Sequence, residues 1–155
     1  MSSTIRDYQA VVNQLQESTS QQIVVDALWD AFCDIGYSWV GFYIDQPGQP
    51  DNQRLILGSC RDKPACSPIS LHGVCGQSLT SKQTRIVHDV ADLGENYIAC
   101  DPDDKSEIVI PCFNSDGTCW GVLDVDSQQV GAFDESDARG LLAVLDAAGL
   151  NHQVQ

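Results

Sequence analysis

Three cysteines stand where a thiol could react, and three carboxylates stand where they could supply a proton. Cys100 falls in YIACDPDDKSE, in a polar stretch just ahead of a strand-like run. A thiol in such a loop is more accessible than one within a strand, although an incidental loop cysteine is the alternative. Asp101, Asp103 and Asp104 beside it raise a thiol pKa unless their side chains point away. Cys75 (HGVCGQ) lies at the start of a short helix-like segment, whose backbone N–H groups favour a thiolate; a small buried residue between glycines is the other reading. Cys66 (KPACSP) precedes Ser-Pro in an irregular stretch, which suits a thiol that has to move to meet a partner.

The acids alternate. Asp124-Val125-Asp126 puts two carboxylates on one face of a strand, and Glu107 begins the strand next to it in sequence. A solvated strand end tolerates such a pair. A pocket uses it, to bind an ammonium group and to keep one carboxyl protonated by mutual repulsion. Trp39 and Tyr43 are four apart on an earlier strand and also share a face, either as core or as the wall of a small apolar pocket.

A metal reading is weaker. Neither a C-x2-C pair nor an H-x3-H pattern occurs, and Cys60, Cys66, Cys75 and Cys100 lack metal-like spacing. Cys33, Cys112 and Cys119 read as structural. His88 reads as a strand residue and His152 as a tail residue.

Elements must hold these groups in place. The periodicity predicts a helix over residues 4–17, with Ile5, Tyr8, Val11, Val12 and Leu15 apolar, and a second over 22–34, with Ile23, Leu28, Trp29, Ala31 and Phe32 facing the core. Strands are expected at 38–45, 54–59 and 85–90, and a short helix at 73–82. A long loop follows over 91–106, a length that usually carries function. Strands at 107–113 and 120–126 flank Asp116-Gly117, a hairpin signal. Asp134 is placed to cap a last amphipathic helix. The expected fold is α+β: a central antiparallel sheet with the N- and C-terminal helices on one face.

The 155 residues amount to one ordinary domain, spanning 1–155, and 43% of them are apolar. The formal charge of −14, from 22 acidic against 8 basic residues, argues against nucleic acid and against an anionic membrane surface. The N-terminus shows no leader pattern and no apolar run reaches the length of a membrane span, so a cytoplasmic setting is expected. There the seven cysteines stay reduced unless they are chemically active.

Taken together, WVGFY (39–43), KPAC (63–66), GVCG (73–76), IACD (98–101), SEIVIP (106–111) and GVLDVDS (121–127) resemble the free methionine-R-sulfoxide reductases, enzymes built on a GAF domain. The resemblance runs in order from Trp39 to Ser127, and looser similarity continues into both terminal helical regions. It implies a GAF-like fold and reduction of free methionine-R-sulfoxide, with Cys100 as nucleophile, Cys66 as resolving thiol and Cys75 as a third redox-linked thiol. It implies substrate contacts from Glu107, Asp124, Asp126, Trp39 and Tyr43, thioredoxin as reductant, a homodimer, and no metal or organic cofactor. Three features depart from the pattern: the stretch between Cys66 and Cys75 is one residue shorter than expected, Tyr97 stands where a histidine is usual, and Cys60 is unexpected. A ligand-binding GAF sensor and a redox-sensing interaction protein are the rival readings, because a fold alone does not fix function.

Overall fold

The computed structural model describes residues 6–152 except 97–100, with the backbone alone for Glu95 and Asn96. Cys100 and Tyr97 lie outside the described residues. Among these the order is α1 (Tyr8–Val12), α2 (Gln21–Phe32), β1 (Trp39–Asp45), β2 (Leu55–Arg61), α3 (Val74–Ser81), β3 (Arg85–Val87), β4 (Ser106–Phe113), β5 (Cys119–Ser127) and α4 (Glu135–Ala147). Short 3-10 turns cover Asp51–Gln53 and Val90–Asn96.

The five strands form one antiparallel sheet in the order β2-β1-β5-β4-β3. Alternation assigns its two faces. Val40 and Phe42 of β1, Ile108 and Ile110 of β4, and Leu123 and Val125 of β5 point to one side, where they pack with α1, α2 and α4. Trp39 and Tyr43, Val109 and Val122 point to the other, where α3 lies with Val74, Cys75 and Leu79. The terminal helices therefore share one face, as the sequence implies, and α3 covers part of the opposite face.

Local signals explain most boundaries. Ser20 caps α2 by accepting from the Ile23 amide at 3.3 Å. Asp134 caps α4 by accepting from the Ser136 amide at 2.9 Å, and Asp137 returns the bond by accepting from the Asp134 amide at 3.0 Å. The β4–β5 hairpin turns at Asp116-Gly117, where Gly117 takes φ 89°, a backbone region suited to glycine.

Several expectations are corrected. The first helix is a short segment between Asp7, its N-cap, and Asn13, its C-cap, and does not run on to residue 17. Tyr8 and Val11 are buried in the core, and the partly buried Val12 and Leu15 pack against it. Ile23 is exposed, because Val24, Val25 and Leu28 take the buried stripe of α2. β3 ends at Val87, which leaves His88 in an exposed bend beyond it.

Buried polar groups lock α1 to α4. Arg6 Nη1 donates to Asp137 Oδ1 at 2.8 Å, and the Tyr8 hydroxyl donates to the same oxygen at 2.6 Å. The Arg6 guanidinium also lies 5.1 Å from the Phe133 ring centroid and 5.6 Å from that of Tyr37.

Candidate active site

Strand register builds the floor of the site. Trp39 pairs with Asp126, and Asp126 with Glu107; one step along, Gly41 pairs with Asp124, and Asp124 with Val109. Three carboxylates from two neighbouring strands thus stand on one face, beside two aromatic rings from a third. Their spacing is that of cross-strand and diagonal neighbours. Gly41 makes room for the wall: a Cβ there would come 2.4 Å from Trp39 Cη2 and 2.7 Å from the Cys60 Cβ. The Trp39 and Tyr43 rings stand 6.1 Å apart over this gap.

The roof comes from the irregular stretch after β2 and from α3. Trp39 Nε1 donates to the Lys63 carbonyl at 2.7 Å, and the Tyr43 hydroxyl donates to the Cys66 carbonyl at 2.8 Å. The polar ends of the wall residues thereby tether segment 63–66 above the acids. The Cys66 side chain is disulfide-bonded, whereas Cys33, Cys60, Cys75, Cys112 and Cys119 are free thiols. α3 approaches closely at Gly76, where a Cβ would lie 2.1 Å from the Leu71 carbonyl oxygen. That approach drives Cys75 onto the carboxylates.

The result is a pocket of about 720 Å³, part of it open to solvent. Its lining includes Trp39, Tyr43, Cys75, Glu107, Asp124 and Asp126. The structure therefore brings together six of the eight residues singled out from sequence. Cys66 is tethered at the pocket's roof through its carbonyl, and Cys100 is outside the described residues.

Electrostatics follow from burial. Glu107 is 7% exposed and Asp124 5%, and Glu107 Oε1 and Asp124 Oδ1 are fully buried with no hydrogen-bond partner outside the acidic cluster and Cys75. Burial pushes the Asp124 carboxyl well above the usual carboxylate range, and the nearby Asp126 and Glu107 push it further. Asp126 is raised by burial and then by Glu107 and Asp104; Glu107 is raised chiefly by burial. Three negative charges cannot all persist in such a space, so the cluster retains a proton near neutrality. The Cys75 thiol is also pushed up, first by burial and then by Asp124 and Glu107. The helix N-terminus, expected from sequence to favour a thiolate, is outweighed by the carboxylates beneath it.

Sequence reasoning missed Asp104 as a pocket residue, along with Ser38, Lys63 and Asp101. Asp104 is buried, accepts a hydrogen bond from the Ser38 hydroxyl at 3.1 Å, and has its pKa raised to about 6, mainly by burial. By parity it belongs with Ser106 and Ile108, which face the helices; the turn from Asp101 to Asp104 carries it to the other side. Its only sequence signal was membership in the acidic run beside Cys100. Lys63 Nζ lies 3.9 Å from Asp101 Oδ2 across the mouth, with Lys63 largely exposed.

The sheet thus carries the terminal helices on one face and an acidic pocket on the other. The GAF domain family profile matches residues 18–151, and the chain belongs to that family. Within it the chain is a member of the free methionine-R-sulfoxide reductases. It is 39% identical over 113 residues to the free methionine-R-sulfoxide reductase of Saccharomyces cerevisiae, across 71% of this chain. The match spans 61% of the yeast protein's length. The free methionine-R-sulfoxide reductase of Neisseria meningitidis, solved in complex with its substrate, superimposes with a TM-score of 0.80 at 32% identity, over 96% of this chain and 92% of that one. The reduced form of the Staphylococcus aureus protein gives 0.81 at 30% identity, over 95% and 96%.

Proposed function

We propose that this protein reduces free methionine-R-sulfoxide to methionine, with Cys100 as the nucleophile. The observation that carries this reading is the pair of buried oxygens, Glu107 Oε1 and Asp124 Oδ1, unpartnered outside the acidic cluster and Cys75, in a pocket walled by Trp39 and Tyr43. One retained proton cannot satisfy every buried acceptor of three carboxyls, and each left unmet costs about 1–3 kcal/mol, so the pocket calls for a ligand rich in donors. A free amino acid brings an α-ammonium that a peptide-bound residue lacks. The aromatic wall suits its short thioether-like side chain.

The chemistry needs a nucleophilic sulfur and an acid together. Sulfoxide oxygen is a poor leaving group until protonated, and the carboxyl cluster retains the proton to give. The Cys100 thiolate attacks the sulfoxide sulfur, the S–O bond breaks, and the oxygen ends on Cys100 as a sulfenic acid while methionine departs. The Cys66 thiol then attacks the sulfenic sulfur, releasing water and forming a Cys66–Cys100 disulfide. A dithiol of the thioredoxin class returns both sulfurs to thiols. Two facts support these assignments: Cys66 is in a disulfide-bonded state, and Asp101, the residue after Cys100, lines the pocket. Cys75, a free thiol beside the acids, is proposed as a third redox-linked thiol. A cytoplasmic location and a homodimer complete the reading; among the described residues no helix is long and apolar enough to cross a membrane.

A thioredoxin-coupled assay with separate R and S sulfoxides and a methionine sulfoxide peptide tests the reading. Turnover is expected with the free R sulfoxide alone and is expected to vanish in Cys100→Ser. Cys66→Ser should release one methionine per chain and then stall. Wild-type turnover by Cys100→Ser would refute the mechanism.

A further inference from the structure

Three donors that are remote in sequence meet in the pocket. The Cys75 sulfur, a Glu107 oxygen and an Asp124 oxygen all lie within 4.8 Å of one another. All three residues are buried, and Glu107 Oε1 and Asp124 Oδ1 have no hydrogen-bond partner beyond the acidic cluster and Cys75 themselves. No motif announces the group, because the donors come from α3, β4 and β5, joined only by the fold.

We propose that Cys75, Glu107 and Asp124 form a binding site for one thiophilic divalent cation, Zn2+ being the ion that fits, and that its occupancy excludes substrate. One sulfur and two carboxylate oxygens are a mixed donor set suited to a borderline-soft ion; Mg2+ and Ca2+ prefer oxygen alone. In a tetrahedral zinc site with Zn–S near 2.3 Å and Zn–O near 2.0 Å, donors stand about 3–4 Å apart, so the side chains need close in only slightly. Three protein ligands leave a fourth position, open toward the pocket, for water. On binding, the Cys75 thiol gives up its proton and the metal takes its place. The cation then occupies the carboxylates to which the preceding reading assigns the substrate ammonium. Metal binding itself does not depend on that reading; the inhibition does. The device is a brake set by the free zinc level, acting on the reduced Cys75 thiol.

The test uses the full chain, reduced and freed of metal with a chelator. Co2+ serves as the spectroscopic probe, since a sulfur ligand gives it a charge-transfer band. The expected result is one Co2+ per chain with that band, displaced by Zn2+. Cys75→Ser should lose the band, and Glu107→Gln and Asp124→Asn should each weaken binding at least about ten-fold, because even outer partners of a metal ligand are worth about 10–100-fold. Cys60→Ser, outside the donor set, should keep the band. Circular dichroism establishes that each variant is folded, and a misfolded one leaves the other two carrying the result. Retention of the band in Cys75→Ser, or its loss in Cys60→Ser, would overturn the site. Free methionine should raise the apparent Kd for Co2+, and Zn2+ should inhibit sulfoxide reduction competitively. If the metal-free enzyme turns over but binds no Co2+, the cation site fails alone; if Co2+ binds as described but no sulfoxide is reduced, the activity fails and the site stands.

Discussion

Asp104 shows how one side chain can set the response of the pocket to pH. Its folded pKa of about 6 lies above its unfolded value, so the folded chain holds this proton more tightly. Its contribution to stability is therefore unfavourable above about pH 6, rises as pH falls through 6, and is complete below the unfolded value. Asp104→Asn keeps an acceptor for the Ser38 hydroxyl and removes the charge. It should raise the melting temperature most at pH 7.5, less at pH 4.5, and change it little at pH 3. Equal shifts at all three pH values, followed by thermal denaturation, would show that the charge is not the cause. At this scale alternation made most of the site legible: Glu107, Asp124, Asp126, Trp39 and Tyr43 all lie where a two-residue period puts them. Asp104 was not legible, because a turn reverses its side. Of the two readings of Cys75, the structure favours the buried residue, and its thiol is raised first by burial and then by acids from strands remote in sequence, which no local signal reveals.

The elements meet the site through tethers. Segment 63–66 has no regular structure of its own, and it is held by the Trp39 indole and the Tyr43 hydroxyl. Tyr43→Phe preserves the ring and deletes one bond, at a cost of about 1 kcal/mol. Methionine release in the first turnover should be nearly unchanged, while recycling, which the proposed mechanism routes through Cys66, should slow; stopped single-turnover and steady-state rates separate the two. Gly41→Ala acts on the wall. Its Cβ would collide with Trp39 and Cys60, and overpacking of this kind costs about 1–3 kcal/mol, readable as a lower urea midpoint. Caps and the hairpin could be read from sequence because their signals are local: Ser20, Asp134 and Asp116-Gly117 act on the next few residues. The placement of α3 could not, since the approach at Gly76 depends on the backbone of Leu71.

For the molecule as a whole, two opposite faces of one sheet divide the work. The helix-covered face carries most of the largest fully buried side chains, among them Phe32, Phe42, Phe133 and Leu141. Its layers are joined by the Arg6–Asp137 pair, whose side chains are only 4% and 6% exposed. Removing one partner strands a buried charge, so Asp137→Ala should cost about 3–5 kcal/mol in urea unfolding, with the acidic pocket intact in whatever fraction stays folded. The ordered motifs and the helical termini together indicated a GAF-like sheet under terminal helices. The depth of the opposite face did not emerge from either, because it depends on α3 and on segment 63–66 closing over the strands.

The alternation along β5 ties assembly to competence. Leu123 and Val125 sit in hydrocarbon while Asp124 between them reaches the pocket, so misaligning this strand by a single position would submerge an acid among phenyl rings and leave two aliphatic chains in the basin. A molecule that has found its native alignment has, by that same act, turned Asp124 and Asp126 toward the basin.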